Sequence, residues 1–288
     1  MPIFSRSDGT LIKNESRVRR IMPYLMRGRN ESAVYHEQTC DLTVARRLLR
    51  DYNRAHDQAA TLFHVFLFAF GRLLHERPGL NRFVSGGRLY QRKKVELSFA
   101  AKKRMAEDAP LVTVKLEALA GEAFPAFVDR VVAAIRDGRS DEEKAVDVEL
   151  KLALALPGPL LRMVMALLRG LDRMNLLPSF MTANDPMYAS CFVANLGSIG
   201  LDRTFHHLYE YGTVSLFAAI GQPKKTLLVG RDGKPEVKDA IEARFTLDER
   251  INDGFYCAES LARLKRMIER PEALLGVAGA LPPRSAEA

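Results

Sequence analysis

Apolar and polar positions along the chain repeat with a period of two in some segments and near 3.6 in others, and a few segments are apolar almost throughout. YHEQTCDLT, residues 35–43, alternates, then gives way at Thr43 to ARRLLRDYNRAH, a helix for which Asp41 and Thr43 are both suitable N-caps. TLFHVFLFAFGRLLHERP, residues 61–78, is apolar nearly all round, which predicts a buried helix ended by Pro78. Residues 81–103 and 109–119 alternate again and predict strands, with Gly86-Gly87 as a hairpin turn. AFPAFVDRVVAAIRDGRS predicts a helix with Gly138 as its C-terminal stop. YASCFVANLGSIGLD, residues 188–202, reads as a strand entering a Gly-rich turn, and residues 213–247 read as three strands with RDGK, 231–234, as a hairpin. ARFTLDERINDGFYCAESLARLKR, residues 243–266, is a strand, a tight polar turn and an amphipathic helix that starts near Asp253. These elements predict one α/β domain, a mixed sheet with helices packed on it.

The segment 149–181, ELKLALALPGPLLRMVMALLRGLDRMNLLPSFM, fits this scheme least. It is the most apolar stretch, yet Pro157, Gly158, Pro159, Arg162 and Arg169 interrupt it, so no run reaches the ~20 apolar residues of a membrane span. Two readings stand: helices buried in the core or a subunit interface, or an amphipathic surface that meets lipid or a long acyl chain as a peripheral membrane contact. Residues 1–15 read as an N-terminal arm, 16–275 as the folded domain containing this insertion, and 276–288 as a flexible tail.

Composition narrows the function classes. Hydrophobic content of 47% and charged content of 27% suit a soluble globular domain. Three cysteines without a CxxC predict neither a disulfide framework nor a metal site, and with a start lacking a secretory signal they point to the cytoplasm. The net charge of +8 is either a solvated basic surface or an attraction for an anion. Its basic clusters lack interleaved aromatics, so no nucleic-acid partner is expected.

Four pieces, in order, resemble the catalytic domain of the 2-oxo acid dehydrogenase dihydrolipoamide acyltransferases and, more distantly, chloramphenicol acetyltransferase. They are SRVRRIMPYLM at 16–26, ERPGLNRFV at 76–84, CFVANLGSIG at 191–200 and TLDERINDGFYCAESLARLKRMIERPEALL at 246–275. The resemblance implies a chloramphenicol acetyltransferase-like two-layer sandwich, a homotrimer, and a channel between subunits that takes coenzyme A or acyl-CoA from one end. In that family a histidine deprotonates the attacking group, and a Ser or Thr on the Gly-rich strand of a neighbouring subunit binds the oxyanion. Asp248, Arg250, Asp253 and Gly254 match the residues around the histidine, and Arg19 matches an N-terminal arginine, implying an Asp253–Arg19 ion pair. Glu249 stands in place of the histidine and Ala194 in place of the oxyanion residue; Asn195 follows, but a strand turns it to the other face.

The two replacements weaken the chemistry. A histidine near pKa ~6.5 suits proton abstraction at neutral pH, whereas an ordinary glutamate near ~4.3 is about two units weaker. A missing oxyanion donor costs ~10²–10³ in rate. The expectation is a protein repurposed for ligand or partner binding. The alternative is an active acyltransferase on a CoA- or carrier-linked acyl group, with Glu249, His206 or His207 as base. In TFHHLYEYG, 204–212, a strand sends His206 and His207 to opposite faces, whereas a helix pairs His206 with Glu210. Glu249 has a structural reading too, as an acid paired with Arg250 or with a neighbouring subunit, and His64 reads as a core histidine. With about fifteen residues before the family-like segment, the expectation is neither a lipoyl domain, hence no covalent lipoyl group, nor a subunit-binding domain.

Overall fold

A computed structural model describes residues 6–56, 59–103, 111–139, 154–202, 204–230 and 232–276. Residues 1–5 of the expected arm, 149–153 of the apolar segment and 277–288 of the expected tail lie outside these. The described elements are β1 (Gly9–Leu11), α1 (Arg17–Leu25), β2 (Ala33–Asp41), α2 (Thr43–His56), α3 (Leu62–Glu76), β3 (Arg82–Ser85), β4 (Arg88–Arg92), β5 (Glu96–Lys102), β6 (Leu111–Glu117), α4 (Phe124–Arg139), α5 (Gly158–Arg173), α6 (Ser179–Asn184), β7 (Cys191–Asn195), β8 (Leu216–Ile220), β9 (Lys224–Val229), β10 (Pro235–Asp248) and α7 (Gly254–Glu269).

The main sheet runs β2-β10-β8-β7-β5-β6, with β9 also on β10. β7 is parallel to β5 and to β8, and the other pairings are antiparallel, so the sheet is mixed. Alternation sorts its two faces. Leu216, Ala218 and Ile220 of β8, with Phe245 and Leu247 of β10, point into the core under α2, α3, α4 and α7. Phe217 and Ala219 point the other way, where Leu208 and Val214 of the 204–214 loop cover them. That second face turns polar on β10, where Glu242, Arg244 and Thr246 are buried. A small antiparallel sheet, β1-β4-β3, packs beside it, and its β1 was not expected from the arm sequence.

The predicted buried helix is α3; His64 on it is buried, its Nδ1 accepting from the Thr61 N–H, and burial holds its pKa below the ordinary value. Asp41 Oδ1 accepts from the Thr43 N–H at 2.9 Å, so Asp41 serves the start of α2. α4 ends at Arg139, one residue past Gly138. The apolar segment becomes α5 and α6, and α5 buries no residue. Arg162, Arg169 and Arg173 fall on one side of the helix at spacings of seven and four, and the opposite side is a broad apolar face that no described element covers. Leu160, Met163, Leu167 and, further on, Phe180 face solvent. No described helix is long and apolar enough to cross a membrane. α5 is instead pinned by its C-terminal end against the β3–β4 turn: a Cβ on Gly86 would lie 2.2 Å from the Arg173 carbonyl oxygen, and Gly86 has φ +56°.

Candidate active site

β10 delivers its last residues into a turn that is fixed on every side. Asp248 is 0% exposed and Arg250 3%. Their side chains form a bidentate pair, Arg250 Nε to Asp248 Oδ1 at 2.8 Å and Arg250 Nη2 to Asp248 Oδ2 at 2.7 Å. The Ser32 hydroxyl and the Arg250 N–H also donate to Asp248 Oδ1, at 2.9 and 3.1 Å. Arg250 Nη1 reaches the carbonyls of Met26 and Arg27, both at 3.2 Å. The network therefore ties the end of β10 to the loop between α1 and β2. Ile251, fully buried with Val84 and Leu89, pins the next residue.

Glu249 sits between those two buried charges and is exposed. Its N–H donates to the Ser32 carbonyl at 2.9 Å, and its carbonyl accepts from Arg19 Nη1 at 2.5 Å. The backbone is thus clamped, and among the described residues nothing bonds its carboxylate. The expected Glu249–Arg250 pairing does not form, because Asp248 presents both oxygens to the guanidinium fork from two residues away. The expected Arg19–Asp253 ion pair does not form either. Arg19 is taken by the Glu249 carbonyl, and Asp253 is the N-cap of α7, its Oδ1 accepting from the Tyr256 N–H at 2.8 Å. Gly254 opens that helix. The Pro78–Leu80 turn braces its first turn: Tyr256 accepts from the Gly79 N–H at 3.0 Å, and the Arg77 guanidinium lies 3.8 Å over the Tyr256 ring.

Ala194 and Asn195 close β7, and residues 196–199 form a 3₁₀ turn ended by Gly200 at φ +78°. Ala194 pairs with Ala219, and Ala219 with Arg244. Arg244 is five residues from Glu249, about 16 Å along a strand at ~3.3 Å per residue. Within one chain Ala194 and Glu249 are therefore far apart. His206 and His207 lie on neither a strand nor a helix. Their rings stack on each other, and the His206 ring also stacks on Phe217, centroids 3.9 Å apart. His206 Nδ1 donates to the His207 carbonyl at 2.7 Å. Burial lowers the His206 pKa, more than that hydrogen bond raises it. The helical His206–Glu210 pairing does not arise, because Glu210 accepts from the N–H groups of Arg29 and Asn30 at 3.2 and 2.9 Å.

Cysteine offers no alternative nucleophile: burial pushes Cys40 up to about 12 and Cys257 to about 11, and raises Cys191 as well. The described residues hold no group of three metal-ligating side chains. Sequence reasoning missed Ser32, which bonds both Asp248 and Glu249. A serine in MRGRNES carries no signal until the register of β2 against β10 brings it beside Asp248.

Two cavities open beside this turn. One, of about 490 Å³, is lined by α1 and the β3–β4 hairpin and includes Lys13, Arg17, Arg19, Arg20 and Arg88. The other, of about 720 Å³, lies between the end of α1, the Gly86-Gly87 turn, the C-terminal half of α5 and the 209–212 loop. Glu249 lines neither.

Residues 180–276, which carry the Gly-rich strand, β8 to β10 and the Asp248–Gly254 turn, match the family model for the 2-oxoacid dehydrogenases acyltransferase (catalytic domain). The fold is that of the acyltransferase cores. A probable dihydrolipoamide acetyltransferase from Listeria monocytogenes 4b F2365 superposes with a TM-score of 0.58 at 15% identity, over 95% of this chain and 99% of that one. The dihydrolipoamide acetyltransferase of Azotobacter vinelandii gives 0.57 at 16% identity, over 92% and 94%. A chloramphenicol acetyltransferase gives 0.56 at 13%, over 91% and 98%. No curated protein sequence matches the chain. The α/β architecture expected from the sequence is thus that of the chloramphenicol acetyltransferase-like acyltransferases. Within that acyltransferase fold, the Asp248–Gly254 turn presents the exposed Glu249 carboxylate on a backbone fixed by buried neighbours.

Proposed function

We propose that the chain is a homotrimeric acyltransferase-fold protein that binds a CoA-linked or carrier-linked acyl ligand, or a partner, in a channel between protomers without the family's histidine-based transfer. The observation that carries this reading is the rigid Asp248–Arg250 turn, which holds Glu249 outward where a base would otherwise stand. The surface around it supports a second copy as the neighbour. Val18, Ile21 and Leu25 form an exposed apolar stripe on α1, and Val34, Tyr35 and Phe205 are exposed along β2 and the histidine loop. Phe255, two residues past Asp253, is 79% exposed. Such a patch, ringed by charge, suits a protomer interface. A partner protomer would also bring its own Ala194 and Asn195 toward Glu249, which the single chain keeps two strands and five residues of β10 away from its own Ala194.

CoA fits the charge. The cavity that includes Arg19 offers Lys13, Arg17 and Arg20 to its phosphates, its one acid, Glu15, being paired with Arg82, and arginine forks suit phosphate oxygens. Glu249 adds negative charge beside any thiolate or oxyanion formed at the proposed interfacial channel, which disfavours transfer while leaving binding intact. Calorimetry with CoA and acetyl-CoA tests the binding half: both bind, and Arg17→Ala/Arg20→Ala weakens them about tenfold, the scale of one lost charge-assisted contact. No heat with either ligand at millimolar concentration overturns the CoA reading.

One observation favours the second reading, an active enzyme. His206 donates through Nδ1 to a carbonyl, so its neutral tautomer presents Nε2 as an acceptor. Burial keeps it neutral further below pH 7 than a free histidine.

A further inference from the structure

We propose that the cavity of about 720 Å³ beside α5 binds a compact phosphate-bearing ligand through Arg29, Arg169 and Arg173. It is formed within one chain and does not rest on the CoA reading. Its walls carry five arginines, at 27, 29, 169, 173 and 250, against two acids, Asp172 and Glu210. Both acids are already engaged. Asp172 pairs with Arg6 at 2.9 Å and accepts from the Ser85 hydroxyl, while the Glu210 carboxylate takes the backbone N–H groups of Arg29 and Asn30. Arg250 belongs to Asp248. Arg27, Arg29, Arg169 and Arg173 remain, with no carboxylate partner among the described residues.

Arg29 is the decisive group. It is 7% exposed, yet no carboxylate among the described residues touches its guanidinium. Its Nη1 donates to the carbonyls of Glu210 and Tyr209 at 3.0 and 3.4 Å, its Nη2 to that of Val84 at 3.4 Å, and its Nε has no partner among the described residues. Carbonyls solvate a guanidinium but do not neutralise it, and a buried cation without a counter-charge is costly. Burial, with repulsion from Arg250, accordingly pulls its pKa down against the weaker attractions of Asp248, Glu210 and Asp172. An anion in the cavity supplies the missing charge. Four unmatched cations suit a dianion or polyanion, and the fork geometry of arginine suits phosphate. The volume exceeds that of a lone phosphate and accommodates an organic phosphate or diphosphate.

The glycines around the cavity fit this role. Gly86, at φ +56°, lets the C-terminal end of α5 close on the β3–β4 turn, which brings Arg169 and Arg173 to the wall. Gly28 lets Glu210 approach: a Cβ there would lie 2.8 Å from the Glu210 carboxylate. There the Glu210 carboxylate is taken by the backbone N–H groups of Arg29 and Asn30 and not by the Arg29 guanidinium.

Titration calorimetry with inorganic pyrophosphate tests the site on the intact chain. Pyrophosphate is expected to bind one per chain, and Arg169→Ala/Arg173→Ala to weaken it tenfold or more. Two further variants remove the same charge elsewhere: Arg47→Ala/Arg50→Ala on α2 is expected to leave the affinity within about twofold, and Arg17→Ala/Arg20→Ala at the neighbouring cavity to weaken it less than Arg169→Ala/Arg173→Ala does. Equal weakening in all three overturns the proposal in favour of diffuse attraction by net charge. Loss confined to Arg17→Ala/Arg20→Ala overturns it in favour of the neighbouring cavity, and absence of binding overturns it outright. Flotation with phosphatidic-acid vesicles runs in parallel. Retention that Arg169→Ala/Arg173→Ala abolishes assigns the phosphate to a lipid headgroup, whereas pyrophosphate binding without flotation assigns it to a soluble ligand.

Discussion

Arg250→Met is expected to lower the unfolding free energy by about 3–5 kcal/mol, the cost of stranding one charge of a buried pair. The substitution removes both bonds to Asp248 and both to the carbonyls of Met26 and Arg27. Asp248, at 0% exposure, keeps only the Ser32 hydroxyl and one backbone N–H. Asp248→Leu is expected to be comparably severe, because the guanidinium is then the stranded group. The double variant Asp248→Leu/Arg250→Met removes both charges and is expected to recover much of the loss, so the two effects are strongly non-additive. Urea midpoints at fixed protein concentration measure this. A single-variant cost below about 1 kcal/mol is what a solvent-screened pair would give, and it would contradict the burial described above.

The second large effect is on chemistry. Wild-type protein is expected to show no transfer from acetyl-CoA to dihydrolipoamide in a thiol-release assay across pH 5 to 9. A positioned general base contributes ~10²–10⁴ and an oxyanion donor ~10²–10³, and on the proposed reading Glu249 and Ala194 supply neither. Glu249→His alone is expected to stay inactive, because Ala194 leaves the oxyanion unsupported. Glu249→His/Ala194→Ser is expected to exceed either single change by far more than their product, since groups that act as a unit are not additive. The fixed turn favours this rescue: only the exposed side chain changes, while the backbone bonds from Ser32 and Arg19 remain. Wild-type turnover that Glu249→Gln abolishes would make Glu249 a working base. Turnover that survives Glu249→Gln would move the base to the His206–His207 pair.

Much of this was legible in the sequence because local pattern and tertiary outcome agree. α3 is apolar all round and is buried; the alternation of 213–247 becomes β8, β9 and β10; Asp253 caps α7 where the turn was expected. The site was legible only as residue types. That Asp248 rather than Glu249 takes Arg250 depends on which side of the turn is buried, and strand alternation alone does not decide that. Arg19 misled for a similar reason: a charge match suggested Asp253, but the nearer acceptor was a backbone carbonyl. Residues 204–212 defeated both periodic readings, because their rings are ordered by stacking on Phe217 and on one another. That α5 buries no residue within one chain separates it from a core helix, while a subunit interface and a lipid- or acyl-facing surface both predict the exposed face.

The account turns on the site being assembled between copies of the chain, and multi-angle light scattering at micromolar concentration tests that most directly. The predicted result is a single species at three times the 32.3 kDa chain mass, which Ile21→Glu/Leu25→Glu on the α1 stripe dissociates. A stable species at one chain mass would contradict it, leaving Glu249 with no neighbouring protomer to face.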